Sequence, residues 1–239
     1  MNIAVIFAGG TGTRMSIKTV PKQFLELHGK PIIIYTLEKF DQHEEIDGII
    51  VVCLESWIPK MNSLLSRFAI QKVKSVVPGG SSGMESIFNG LSAAKALYGD
   101  DTFVLIHDGV RPLIDHESIT KVIRCAEENG NSVTVVPAKE TIAIIDGEGK
   151  MGEILDRKKC WLARAPQCFR LGEIFEAHLD AQKAGRNDFV DSADLMKWKG
   201  AELFPCEGKS ENIKITTADD YYFFKALIEV QEYANLFGK

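Results

Sequence analysis

The sequence predicts an α/β protein with a mostly parallel sheet covered by helices on both faces. Three observations carry the prediction. Short apolar runs rich in β-branched residues alternate with stretches whose apolar residues recur at helical spacing. The first run, residues 3–7, stops in a glycine-dense loop, as first strands of open parallel sheets do where they bind ligands. No internal repeat, low-complexity tract or linker interrupts the 239 residues, which are expected to form one domain, 1–239.

Each element follows from its local pattern. Residues 3–7 read as a buried strand. Residues 31–41 read as a helix, with Pro31 at the first helical position, where its missing N–H is harmless. Residues 48–53 form an apolar run expected of a strand buried on both faces. A helix over 57–69 and a strand over 72–77 follow, then a flexible loop, Pro78-Gly79-Gly80-Ser81-Ser82-Gly83. Behind that loop Ile87, Leu91, Ala94 and Leu97 share one helical face. Strand 103–106 ends at His107-Asp108, and helix 117–128 and strand 132–136 complete the alternation.

From Pro137 the rhythm changes. Residues 141–146 and 151–155 flank Gly147-Glu148-Gly149 and predict a β-hairpin standing off the sheet, an arm inserted at about 137–160. Helices are expected over 171–183, 190–199 and 217–233, with closing strands at 201–204 and 212–215.

Composition bounds the function. A formal net charge of -5 argues against nucleic acid or an anionic membrane as principal partner, while leaving room for a local basic pocket. The five cysteines are scattered, odd in number and without C-x-x-C spacing, as expected of reduced thiols in a cytoplasm with no zinc site. Met1 runs straight into the first strand, and no apolar run approaches a membrane span, so neither signal peptide nor membrane anchor is expected.

The first loop carries the chemistry. Phe7-Ala8-Gly9-Gly10-Thr11-Gly12-Thr13-Arg14-Met15 is followed by Pro21-Lys22-Gln23. Glycines can turn main-chain N–H groups toward an anion, and two cations stand within reach of one triphosphate. A tight turn alone could also use such glycines. The dinucleotide pattern G-x-G-x-x-G fails for want of its third glycine, and the G-x-x-x-x-G-K-[ST] pattern fails as well. A different kind of nucleotide loop remains.

These residues resemble the signature of nucleotidyltransferases that activate sugar or polyol phosphates. They are most similar to the cytidylyltransferases of 2-C-methyl-D-erythritol 4-phosphate and D-ribitol 5-phosphate. The resemblance continues at Gly79-Gly80, His107-Asp108-Gly109-Val110-Arg111-Pro112, Ala165-Pro166-Gln167 and Asn212-Ile213-Lys214-Ile215-Thr216, so it spans nearly the whole chain in order. It implies a Rossmann-like three-layer nucleotidyltransferase fold, with the arm clasping a second subunit in a homodimer. It further implies attack of a phosphate-monoester oxygen on the α-phosphorus of CTP, with pyrophosphate leaving and Mg2+ bridging phosphate oxygens. Both reactants are polyanions and the monoester is already ionised, so cations and main-chain donors should dominate over a general base.

By the resemblance, Arg14, Lys22 and Lys214 are the catalytic cations. Ala8, Gly9, Gly10, Thr11 and Gly12 frame the triphosphate, and Gly80, Ser81 and Ser86 frame the base. Asp108 and Arg111 hold the polyol, with Asp108 meeting the substrate hydroxyls or the ion through water. Arg157, at the foot of the arm, reaches across the dimer toward the acceptor phosphate. Several positions depart from type. Gly83 stands where arginine is usual, Glu85 replaces an aspartate, and Ala165 and Val190 replace two threonines that assist the phosphate. Arg164 is the candidate replacement, since one guanidinium can give a phosphate two hydrogen bonds. These departures and the wording of the first loop lean toward ribitol 5-phosphate. Alternatives are the methylerythritol phosphate enzyme of isoprenoid precursor synthesis, a sugar-1-phosphate nucleotidyltransferase, and a catalytically silent nucleotide-binding module. His107 is expected to be tied to backbone, Trp57, Trp161 and Trp198 to pack, and Asp191 to serve as pocket wall or helix cap.

Overall fold

The computed structural model describes residues 1–8 and 20–237. In chain order, β1 (Asn2–Ala8) is followed by a short hairpin, β2 (Glu26–Leu27) and β3 (Lys30–Pro31), and by α1 (Ile32–Asp41). Next come β4 (Gly48–Cys53), α2 (Ile58–Arg67), β5 (Val73–Pro78), α3 (Gly83–Lys95), β6 (Phe103–Asp108), α4 (His116–Asn129) and β7 (Ser132–Pro137). The arm contributes β8 (Ala143–Ile145) and β9 (Met151–Ile154). Then follow β10 (Trp161–Arg170), α5 (Leu171–Lys183), α6 (Ser192–Trp198), β11 (Pro205–Glu207) and α7 (Ala218–Phe237).

The main sheet has seven strands in the order β11-β7-β10-β6-β1-β4-β5. Strand β1 lies parallel to both β4 and β6, and β4 parallel to β5. Alternating residues of β1 divide between two cores, as the period of a strand requires. Ala4, Ile6 and Ala8 pack with α1, α2 and α4 through Leu37, Phe40, Met61 and Val122. Ile3 and Val5 pack with α3, α5 and α6 through Leu91, Ile174 and Leu195. Helix, sheet and helix form the three layers expected. On the second face α3 lies very close to the strands: a Cβ added at Gly90 would come within 2.5 Å of Val5 Cγ1, so only glycine fits. A third cluster seats α7 on the β2–β3 hairpin through Phe224, Ile228, Leu27 and Ile32.

Several expectations are corrected. Strand β10 was not anticipated, and it runs antiparallel to both β6 and β7 inside an otherwise parallel sheet. Its Pro166, preceded by a cis peptide bond, falls where the β7 pairing shifts register between Ala163 and Gln167, so the ladder is interrupted where proline has no N–H to give. The closing strand forms at Pro205–Glu207 rather than 201–204. Residues 212–215 form no strand: Ile215 N–H donates to Val110 O, but the Asn212 carbonyl accepts from the Arg111 and Arg164 side chains. Pro31 is the residue before the first helical turn, with extended φ and ψ, not its first helical residue. Among the described residues no helix is long and apolar enough to cross a membrane.

Candidate active site

The carboxyl ends of β1 and β6 and the start of α3 open onto a cleft of about 350 Å3. Phe7, Ile106 and Asp108 reach it from the strands, and Ser82, Gly83 and Met84 from the first turn of the helix. Arg164, Ala165 and Gln167 of β10 line the opposite wall, with residues 187–192 and Lys214 on the rim. In open α/β sheets ligands bind outside the carboxyl ends of strands, and this cleft occupies that place.

Charge in the cleft is centred on Asp108. It is 5% exposed, and each carboxylate oxygen receives a cation: Oδ1 from Lys214 Nζ at 2.6 Å, Oδ2 from Arg111 Nε at 2.7 Å. Burial opposes ionisation of Asp108, but Arg111 and Lys214 outweigh it and hold the carboxyl below the usual aspartate range. Among the described residues no carboxylate forms an ion pair with Arg164. Its Nη1 donates to Ser210 O at 2.8 Å and Asn212 O at 3.1 Å. Burial, and then the neighbouring Arg111, lower its pKa, the mark of a partly desolvated cation beside another cation. Arg111, Arg164 and Lys214 thus face only Asp108 and Asp191 among the carboxylates lining the cleft. An anion is the complement such a site lacks.

Each wall is fixed by its own sequence. Ser82 caps α3 by accepting Glu85 N–H, and Glu85 Oε2 accepts from both the N–H and the hydroxyl of Ser81. Ser86 is buried; its hydroxyl donates to Ser82 O and accepts Gly80 N–H at 3.0 Å. Gly80 is needed there, because an added Cβ would come within 2.2 Å of Glu85 Cγ. Gly83 is different: a Cβ there would meet nothing within 4 Å. On the far rim Asp191 is both wall and cap. Its Oδ1 accepts Asp194 N–H and its Oδ2 accepts Gln167 Nε2 at 2.8 Å, while Gln167 Oε1 accepts Ala193 N–H. Val190 is 90% exposed on this rim and offers no hydroxyl.

The expected site residues do not all come together, and Ala8, Lys22, Gly80, Ser81 and Ser86 are not among the described residues lining the cleft. Lys214, Asp108, Arg111 and Arg164 are brought together. Gly9, Gly10, Thr11, Gly12 and Arg14 lie outside the described residues. Lys22 opens a one-turn 3-10 helix, Lys22–Phe24, whose Gln23 donates to Ala8 O at 2.6 Å and so holds that turn against the end of β1. Arg157 is not among the residues lining the cleft; it donates to Lys139 O at the foot of the arm. Gln167 and Asn212, both buried, had not been singled out. Their only advance signal was membership in the Ala165-Pro166-Gln167 and Asn212-Ile213-Lys214 strings. His107 is tied to backbone as expected, with Nε2 3.3 Å from Arg111 O; burial drives its pKa down to about 4. Trp57 stacks on Phe24 and Trp198 packs against Phe189, while Trp161 remains exposed.

Comparison with known proteins extends this picture. The family profile of IspD, 2-C-methyl-D-erythritol 4-phosphate cytidylyltransferase, matches residues 2–230. A ribitol-5-phosphate cytidylyltransferase of Streptococcus agalactiae is 50% identical over 238 residues, covering 100% of both chains. A 2-C-methyl-D-erythritol 4-phosphate cytidylyltransferase of Clostridium acetobutylicum is 38% identical, over 96% of this chain and 98% of its own. Among solved structures, the 4-diphosphocytidyl-2C-methyl-D-erythritol synthase of Anaerococcus prevotii superposes with a TM-score of 0.82 at 27% identity, covering 96% of this chain and 98% of that one.

Proposed function

The chain belongs to the IspD family of cytidylyltransferases, and from that premise we propose that it couples CTP to D-ribitol 5-phosphate, giving CDP-ribitol and pyrophosphate. The observation that carries the reading is a single cleft that holds Arg111 and Lys214 on the buried Asp108 carboxylate and Arg164 on the facing wall. A polyanionic acceptor needs such a site, and the higher identity to ribitol-5-phosphate enzymes than to a methylerythritol phosphate enzyme favours ribitol.

In the reaction an oxygen of the acceptor phosphate forms a bond to the α-phosphorus of CTP as the bond to the β-phosphate oxygen breaks. Lys214 is the cation for the α-phosphate, and its Asp108 partner keeps it aimed into the cleft. Lys22, with Arg14 of the first loop, neutralises charge on the triphosphate and the departing pyrophosphate, against main-chain N–H groups of Gly10, Thr11 and Gly12. Gly80 and Ser81, in a loop shaped by Ser86 and Glu85, border the base. Asp108 and Arg111 orient the polyol hydroxyls. Arg164 takes the acceptor phosphate in place of the threonine hydroxyls missing at Ala165 and Val190.

Mg2+ is the ion proposed to accompany the triphosphate. Among the described residues no three acidic, histidine or cysteine side chains cluster as a cage, and both oxygens of Asp108 already accept from cations. That donor set suits an ion carried on the phosphates and met by Asp108 through water, which is the usual habit of Mg2+. When bound it would supply charge neutralisation.

A homodimer is proposed from the arm. A two-stranded hairpin alone is marginal in water, yet Ile144, Ile145, Met151 and Ile154 on it are all exposed. A second copy would cover them and bring Arg157 to the neighbouring acceptor phosphate. The five free thiols and the supply of CTP suit a cytoplasmic reaction. The test is pyrophosphate release from CTP with ribitol 5-phosphate and with 2-C-methyl-D-erythritol 4-phosphate. A clear preference for ribitol 5-phosphate is expected; preference for methylerythritol phosphate would overturn the acceptor assignment.

A further inference from the structure

Residues 209–216 carry Lys214, yet they belong to no helix or strand. Something other than regular backbone pairing has to hold this lysine at Asp108. Much of the hydrogen bonding converges on Asn212, which is 2% exposed. Its carbonyl accepts from Arg111 Nη1 at 3.0 Å and from Arg164 Nη1 at 3.1 Å. Its side-chain Nδ2 donates to Ala165 O on β10 at 2.9 Å, and its N–H donates to Lys209 O. Two residues on, Lys214 meets Asp108, and then Ile215 N–H meets Val110 O.

We propose that Asn212 is a positioning residue of the transfer site: it pins the Lys214-bearing segment to β10 and offers one carbonyl that aligns both arginines of the acceptor side. The proposal deepens the reading of the cleft given above and rests on it. The amide itself is informative. Asn212 Oδ1 is buried and has no hydrogen-bond partner among the described residues. An apolar side chain would fill the space without stranding an acceptor; what it would lack is the Nδ2–H donor to Ala165. The donor is therefore the feature that accounts for an amide here.

Freed from Ala165, the segment would let Lys214 drift and would take the shared acceptor away from Arg111 and Arg164. Two kinetic parameters should move together. Misplacement of a reacting-centre group by about 1 Å lowers the rate on the order of 100-fold, so kcat falls. Acceptor KM rises because the arginines are no longer held. The KM for CTP moves less than that for the acceptor, because apart from Lys214 the proposed triphosphate contacts come from the other end of the chain.

The experiment compares wild type, Asn212→Ala and Asn212→Asp by pyrophosphate release and by hydrogen–deuterium exchange. Asn212→Asp keeps the size of asparagine but, ionised, lacks the donor; it decides the matter if the alanine variant does not fold. Expected are a fall in kcat, a rise in KM for ribitol 5-phosphate that exceeds any change in KM for CTP, and faster exchange in 209–216 but not in 103–108. Retention of wild-type kcat and acceptor KM in a folded variant would overturn the proposal, as would unaltered exchange in 209–216. Wild-type enzyme inert on every polyol phosphate would instead overturn the functional reading, while the exchange comparison would still judge the role of Asn212.

Discussion

Replacing Lys214 with alanine separates what this lysine does for stability from what it does for chemistry. In the folded protein its ammonium lies 2.6 Å from Asp108 Oδ1, but the side chain is 42% exposed. An ion pair with one partner in contact with water is worth up to about 1 kcal/mol. Asp108 would also keep Arg111 at 2.7 Å, so it would not be left as an uncompensated buried charge. The expected loss of stability is therefore about 1 kcal/mol. The transition state asks more of the same group. Removing one preorganised donor from developing charge typically costs about 3 kcal/mol, or on the order of 100-fold in kcat. Steady-state pyrophosphate release from CTP with ribitol 5-phosphate, paired with urea unfolding, measures both quantities on one preparation. A variant with kcat within threefold of wild type (about 0.7 kcal/mol) would refute the assignment of Lys214 to the reacting phosphate. A stability loss large enough to account for all the lost activity would do the same.

Three further outcomes are expected. Arg164→Met should raise the acceptor KM about tenfold or more, as loss of a charge-assisted hydrogen bond of 1.5–3 kcal/mol implies, roughly, with KM for CTP unchanged; equal effects on both substrates would remove Arg164 from the acceptor side. Ile145→Asp with Ile154→Asp should shift the protein to monomer in sedimentation and lower activity, since charges would sit on the face proposed to meet a second copy; an unchanged sedimentation coefficient would count against the arm. His178 is buried beside Phe88, and burial lowers its pKa to about 4, so the unfolded chain binds the extra proton between about pH 6.5 and 4 and stability falls as pH drops through that window. His178→Phe should flatten that acid limb, recovering about 3 kcal/mol of its depth; an identical limb in urea unfolding at pH 7, 5.5 and 4.5 would contradict it.

The first half of the fold was legible because local and global signals agree there. Strands such as Gly48–Cys53 are buried on both faces and read as unbroken apolar runs. Strand β10 was not legible: Trp-Leu-Ala-Arg-Ala-Pro-Gln-Cys-Phe-Arg has no period of two, and proline speaks against a central strand. Only its neighbours' pairing needs make it one. Residues 212–215 misled in the opposite way. Asn212 and Ile215 are buried as parts of a coil, with arginine side chains where a strand partner would stand. The cations of the site could be named from their motif strings. The buried amides of Gln167 and Asn212 could not, because an amide's task is set by which carbonyls and N–H groups the fold brings to it.

The antiparallel strand between β6 and β7 also bears on how the molecule comes into being. Until residue 170 is available, the parallel group β5-β4-β1-β6 and the strand β7 have no shared edge. A ribosome-bound chain that has emerged only as far as the arm therefore holds a four-stranded sheet with β6 as an open flank, and β7 as a lone unpaired strand. Such long-range pairing is slow to form and leaves flanks open to other chains in the meantime. Chaperone demand should accordingly peak between the emergence of β7 and that of β10, and subside once β10 slots into place.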